Sequence, residues 1–119
     1  MGKLTTHVLD TSQGLPGAGI ALTLERIDGD RREVVAKAVT NDDGRCDSPV
    51  LEGDAFAIGE YELRFEVGAY LGAAGIPAPA KGPRFLDTVV LRFGIADASE
   101  HYHVPLLLSP FGYSTYRGS

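Results

Sequence analysis

The chain has 119 residues, with 16 acidic against 11 basic side chains and a formal charge of −5. That length suits a single domain, residues 1–119, able to bury roughly two-thirds of its unfolded surface without staples. Scattered cations offer no basic face for nucleic acid, the lone Cys46 has no internal disulfide partner, and MGKLTTHVLD holds no apolar run long enough for a leader or a membrane span, so a soluble cytoplasmic protein is expected.

Alternation of apolar and polar residues sets the expected elements. Residues 5–10 read as the first strand and residues 19–27 as the second, separated by the turn Gln13-Gly14-Leu15-Pro16-Gly17. A third strand over 33–40 follows Asp28-Gly29-Asp30, and a short piece over 45–48 follows Asn41-Asp42-Asp43-Gly44. These turn residues tolerate left-handed or Asx geometry. In residues 60–67, EYELRFEV, every second side chain is apolar, which predicts one face on a core and one in water. Residues 69–75 predict one or two helical turns, ended by glycine and the loop of Pro77 and Pro79. Strands are expected again over 84–95, over 100–108 and in the tail after Pro110. About eight strands and one short helix make an all-β antiparallel sandwich.

The last residues are unusual for a terminus, since two aromatic rings, three aliphatic hydroxyls and a guanidinium stand together in YSTYRGS. The string HYHVPLLLSPFGYSTYRGS at 101–119, together with HVLDTSQGLPGAGIALTL at 7–24, resembles the two signatures of the 5-hydroxyisourate hydrolases. Those enzymes of urate breakdown are related to the hormone carrier transthyretin, and a terminal YRGS is their mark. The resemblance covers nearly the whole chain. It implies a transthyretin-like sandwich of two four-stranded sheets and a homotetramer, in which sheets frame a channel with active sites at subunit contacts. It also implies hydrolysis of 5-hydroxyisourate to 2-oxo-4-hydroxy-4-carboxy-5-ureidoimidazoline with no cofactor, the small-molecule substrate and copies of the chain being the only partners.

Only three histidines occur, His7, His101 and His103, and a strand histidine by itself is more readily a solvated or hydrogen-bonded side chain than a catalytic one. His7 shares a face with Thr5 and Leu9. The resemblance puts the family's catalytic histidine at this place, where transthyretin has lysine, and imidazole is the side chain that exchanges protons near neutrality. His101 and His103 point to one side, a spacing that also suits two metal ligands, but a third ligand is not supplied. The family comparison selects His103 to face the channel with His7 and leaves His101 at the rim. Arg45 is by itself a surface arginine after a turn. The family places an arginine after this Asp-Gly pair, where transthyretin has glutamate, to bind a urate-like ring and polarise a carbonyl. Cys46 invites a nucleophile reading, yet no histidine adjoins it in sequence and a small buried cysteine is the plainer reading.

Ser114 has no Gly-x-Ser-x-Gly elbow around it and suits a hydroxyl that orients substrate or water. Tyr116 suits either a ring lining a planar ligand or interface packing, and Arg117 either a tail anchor or a substrate contact. A transthyretin-like carrier of small ligands is the alternative to an enzyme. A carrier is expected to have lysine, glutamate and an aliphatic extension where this chain has His7, Arg45 and Tyr116-Arg117-Gly118-Ser119.

Overall fold

Alternation fixes which way each strand faces, and two sheets close on each other accordingly. The structure, a computed structural model, describes residues 2–118. Its strands are β1 (Lys3–Asp10), β2 (Leu15–Pro16), β3 (Ala21–Asp28), β4 (Arg31–Val39), β5 (Leu51–Glu52), β6 (Gly59–Glu66), β7 (Thr88–Ile95), β8 (His101–Ser109) and β9 (Gly112–Thr115), with one helix, α1 (Val67–Ala73). One sheet has the order β4-β3-β6-β7, and the other β2-β1-β8-β9, with β5 added along β1. Leu4 and Val8 of β1 and Leu106 and Leu108 of β8 are buried in one core with Leu22, Leu24, Leu63 and Phe65 of the opposing sheet. Burying each such side chain is worth about 1.5–3 kcal/mol.

The sandwich and its helix are those expected, with local differences. β2 lies inside the segment read as a turn, where Leu15 and Pro16 pair back onto Asp10 and Leu9. The piece over 45–48 shrinks to a single bridge between Arg45 and His7, and the short strand falls instead at β5, against Lys3 and Leu4. β7 begins at Thr88 rather than residue 84, because the Arg84 side chain donates to the carbonyls of Ile76 and Pro77 and holds that stretch as a loop. Glu62, expected in water, is buried beneath Arg32, Arg64 and Arg92, which all pair with it. All strand pairs are antiparallel but one: β1 and β8 run parallel, Lys3 opposite His101 through Asp10 opposite Leu108.

That pair positions the site. Even-numbered residues of β1 and β8 enter the core, so odd-numbered ones, Thr5, His7, Leu9, His101, His103 and Leu107, share the outer face of the sheet. Asp10 closes β1: buried, it accepts hydrogen bonds from Ser12, Gln13 and the Tyr70 hydroxyl, tying β1 to the following turn and to α1. Burial alone would raise this carboxyl, but those hydrogen bonds hold it at about 2, and the Tyr70 phenol is pushed up to about 12 by burial and by Asp10.

Candidate active site

The two histidines selected from the sequence meet. His7 Nδ1 lies 2.7 Å from His103 Nε2, and the rings stack with centroids 4.9 Å apart and 19° between planes. His103 Nδ1 is 2.7 Å from Thr5 Oγ1, so both nitrogens of His103 are engaged. Among the described residues, His7 Nε2 makes no hydrogen bond, which makes it the pair's free nitrogen. Both rings are half-buried, and both resist protonation more than ordinary imidazole. Burial first and the Arg45 cation second lower the pKa of His7; burial, then His7, Arg45 and His101, lower that of His103.

Arg45 reaches this face through its turn. Asn41 Oδ1 accepts from the N–H groups of Asp43 and Arg45, and Gly44 takes a φ of +74°. A Cβ at Gly44 would stand 2.4 Å from the Val8 carbonyl, so only glycine lets the turn press on β1, where the Gly44 carbonyl accepts from the Val8 N–H at 2.8 Å. The next residue, Arg45, then bridges His7, and paired residues project to the same side of a sheet. Cys46 beside it is partly buried, and burial followed by Asp47 pushes its thiol up. A raised thiol is a poor nucleophile.

The tail completes the face. Ser114 stands opposite Leu107 in β9, which by register puts it on the outer side with the histidines, about two strand spacings, or ~10 Å, from β1. The register persists to a bridge between Gly118 and His103, so Tyr116, opposite Pro105, belongs to the same side and is exposed. Gly118 N–H donates to the His103 carbonyl at 2.7 Å, and a Cβ at Gly118 would meet His103 Cδ2 at 2.9 Å. Arg117 anchors the tail: its guanidinium lies 3.9 Å from the Tyr102 ring centre, 3.8 Å from Glu100 and 3.3 Å from the His101 carbonyl. Ser119 lies outside the described residues. The face thus gathers His7, His103, Arg45, Ser114 and Tyr116. A cleft of about 240 Å³ lined by Leu71, Phe85 and Phe111 holds none of them.

Sequence reasoning missed Thr5 and left His101 at the rim. His101 is exposed, but its Nε2 lies 2.6 Å from Thr5 Oγ1, the same hydroxyl that meets His103. The signal available was the shared face of Thr5 and His7. Among the described residues, no group of three or more histidine, cysteine or acidic side chains is arranged to hold a metal ion, and no helix is long and apolar enough to cross a membrane.

The family model described as HIUase/Transthyretin family matches residues 4–118. The chain belongs to that family. It is 58% identical over 119 residues to a 5-hydroxyisourate hydrolase of Pseudomonas aeruginosa, covering all of this chain and 93% of that protein. The solved Klebsiella pneumoniae 5-hydroxyisourate hydrolase superposes with a TM-score of 0.79 at 35% identity over the full length of both. A solved (S)-allantoin synthase gives a TM-score of 0.91 at 45% identity, matching 99% of this chain, which spans only 44% of that larger protein.

Proposed function

We propose that the protein is an enzyme of urate catabolism that hydrolyses 5-hydroxyisourate to 2-oxo-4-hydroxy-4-carboxy-5-ureidoimidazoline. The observation that carries this reading is the pairing of His7 with His103 beside Arg45 on one sheet face, in a chain whose full-length relatives are named for that reaction. The carrier alternative loses support on the same grounds.

His7 Nε2, the free nitrogen of the pair, removes a proton from water as the oxygen attacks the ring carbonyl. Arg45 stabilises the charge that develops on the carbonyl oxygen. When the ring carbon–nitrogen bond breaks, the departing nitrogen takes a proton from the histidine pair; one imidazole is not neutral and cationic at once, so the second ring holds the spare proton. Ser114 and Tyr116 orient substrate and water, lowering the barrier by placement. Neutral rings are what a general base requires, and the burial and positive charge around them favour that form. In the same reading the enzyme works in the cytoplasm as a homotetramer in which this exposed face meets other subunits; its likeness to metabolic enzymes of the family supports both.

The test is an assay of freshly generated 5-hydroxyisourate against its unaided decay. Acceleration proportional to enzyme concentration is expected, and a rate equal to the uncatalysed one would overturn the proposal.

A further inference from the structure

The site described above uses two histidines, but the hydrogen bonds do not stop there. From His7 Nδ1 they run to His103 Nε2 at 2.7 Å, from His103 Nδ1 to Thr5 Oγ1 at 2.7 Å, and from Thr5 Oγ1 to His101 Nε2 at 2.6 Å. The far end is exposed. We propose that Thr5 and His101 extend the histidine pair into a proton relay from the reacting water to solvent, whose hydrogen bonds reverse together as His7 turns from base to acid. This inference rests on the hydrolytic reading of the same face.

The chemistry follows from counting protons. A neutral imidazole has one N–H and one lone pair, and a hydroxyl has one proton to give. If Thr5 donates to His101 Nε2, it accepts from His103 Nδ1–H; His103 Nε2 is then the acceptor for His7 Nδ1–H, and His7 Nε2 carries a lone pair, the form of a base. If Thr5 donates to His103 Nδ1 instead, every bond runs the other way and His7 Nε2 carries a proton, the form of an acid. A proton taken from water at His7 Nε2 converts the first arrangement into the second. His7 passes its Nδ1 proton to His103 Nε2, His103 passes its Nδ1 proton to Thr5, Thr5 passes its own to His101 Nε2, and His101, now cationic, stands in solvent. His7 is left neutral with a proton on Nε2 for the departing nitrogen, and the charge is moved away from Arg45.

Exposure suits a charge that collects at the outer end, where water hydrates His101. Arg45 faces the inner pair and opposes a cation there. At His101, Lys3 is its neighbour on β1, while Glu100 and Arg117 flank it and pair with each other at 3.8 Å. Gly118 covers His103 only through its backbone. Thr5 is the element of this arrangement without a substitute, since valine has its shape and no hydroxyl.

Steady-state kinetics of wild type, Thr5→Val, Thr5→Ser and His101→Gln across the pH range in which imidazole titrates, with the nitrogen-15 signals of the histidine rings, test the relay. Thr5→Val should lower kcat about tenfold or more with KM within about twofold, and Thr5→Ser should restore it. Glutamine at 101 can hold the Thr5 hydrogen bond but takes no proton, so His101→Gln should also lose kcat and recover with rising buffer concentration. Wild-type kcat in both Thr5→Val and His101→Gln would overturn the relay. The nitrogen signals decide it even if the wild type proves inactive, a result that would remove the hydrolytic reading alone. Protonating His101 should shift the His103 ring nitrogens to the reversed tautomer in wild type and not in Thr5→Val; the same response in both proteins would also overturn the relay.

Discussion

At the scale of single residues, the decisive quantity is how tightly His7 and His103 are held as neutral rings. His7→Asn and His103→Asn should each lower kcat by about 10²-fold or more while leaving the thermal midpoint near that of wild type, because both side chains sit on the outer face. Near-full activity in both variants would remove the proposed mechanism. The pH profile follows from the signs. Both rings titrate below the ordinary 6.5, so kcat/KM should fall only as the pH drops beneath that value. Arg45→Glu replaces a charge that lowers both values with one that raises them, so the residual activity should lose its acid side at higher pH, and activity should drop further than in Arg45→Ala. An unmoved profile would disconnect Arg45 from the histidines. His7, His103 and Arg45 were legible in the chain because period-two alternation assigns faces and the family strings assign roles. Thr5 was not, because a threonine on a strand is unremarkable until two histidines from another strand converge on its hydroxyl.

Among elements, the tie at the end of β1 and the tail beyond β9 carry opposite burdens. Tyr70→Phe removes a donor from the buried Asp10 carboxylate and should cost about 1.5–3 kcal/mol of stability, read from denaturant midpoints, with turnover nearly unchanged. Asp10 is held at about 2 against an ordinary 3.8. The stability it contributes is therefore complete above 3.8 and lost as the pH falls toward 2, and a stability curve flat through that interval would contradict the assignment. Removing Tyr116-Arg117-Gly118-Ser119 takes away few core side chains. Catalytic efficiency should fall far more than the melting temperature does, and a truncated protein with wild-type kcat/KM would show the tail to be a cap. Positions of the longer strands were legible to within a few residues from alternation and turn chemistry, whereas the two-residue strands β2 and β5 were not. The burial of Glu62 was not, since alternation marks it as solvent-facing and only the arginines of three strands, Arg32, Arg64 and Arg92, cover it. Nor does alternation name a strand's partner or its direction, so the parallel pairing of β1 with β8 had no local signal.

For the whole molecule, the exposed candidate face and the assembly that the family resemblance implies lead us to expect a closed assembly of dihedral symmetry. Light scattering should give the mass of a tetramer, and a stable, fully active monomer at assay concentration would contradict sites shared between subunits. The parallel pairing of β1 with β8 has a further effect, on synthesis. His7 and His103 are 96 residues apart, and at about 5–20 residues per second translation takes about 5–20 seconds to travel from one to the other. Throughout that interval His7 has been made and its partner has not. A nascent chain, or one cut short before β8, carries Arg45 and a single solvated imidazole, and none of the paired chemistry. On the proposed mechanism, catalysis cannot begin before the eighth strand of each polypeptide docks alongside its first.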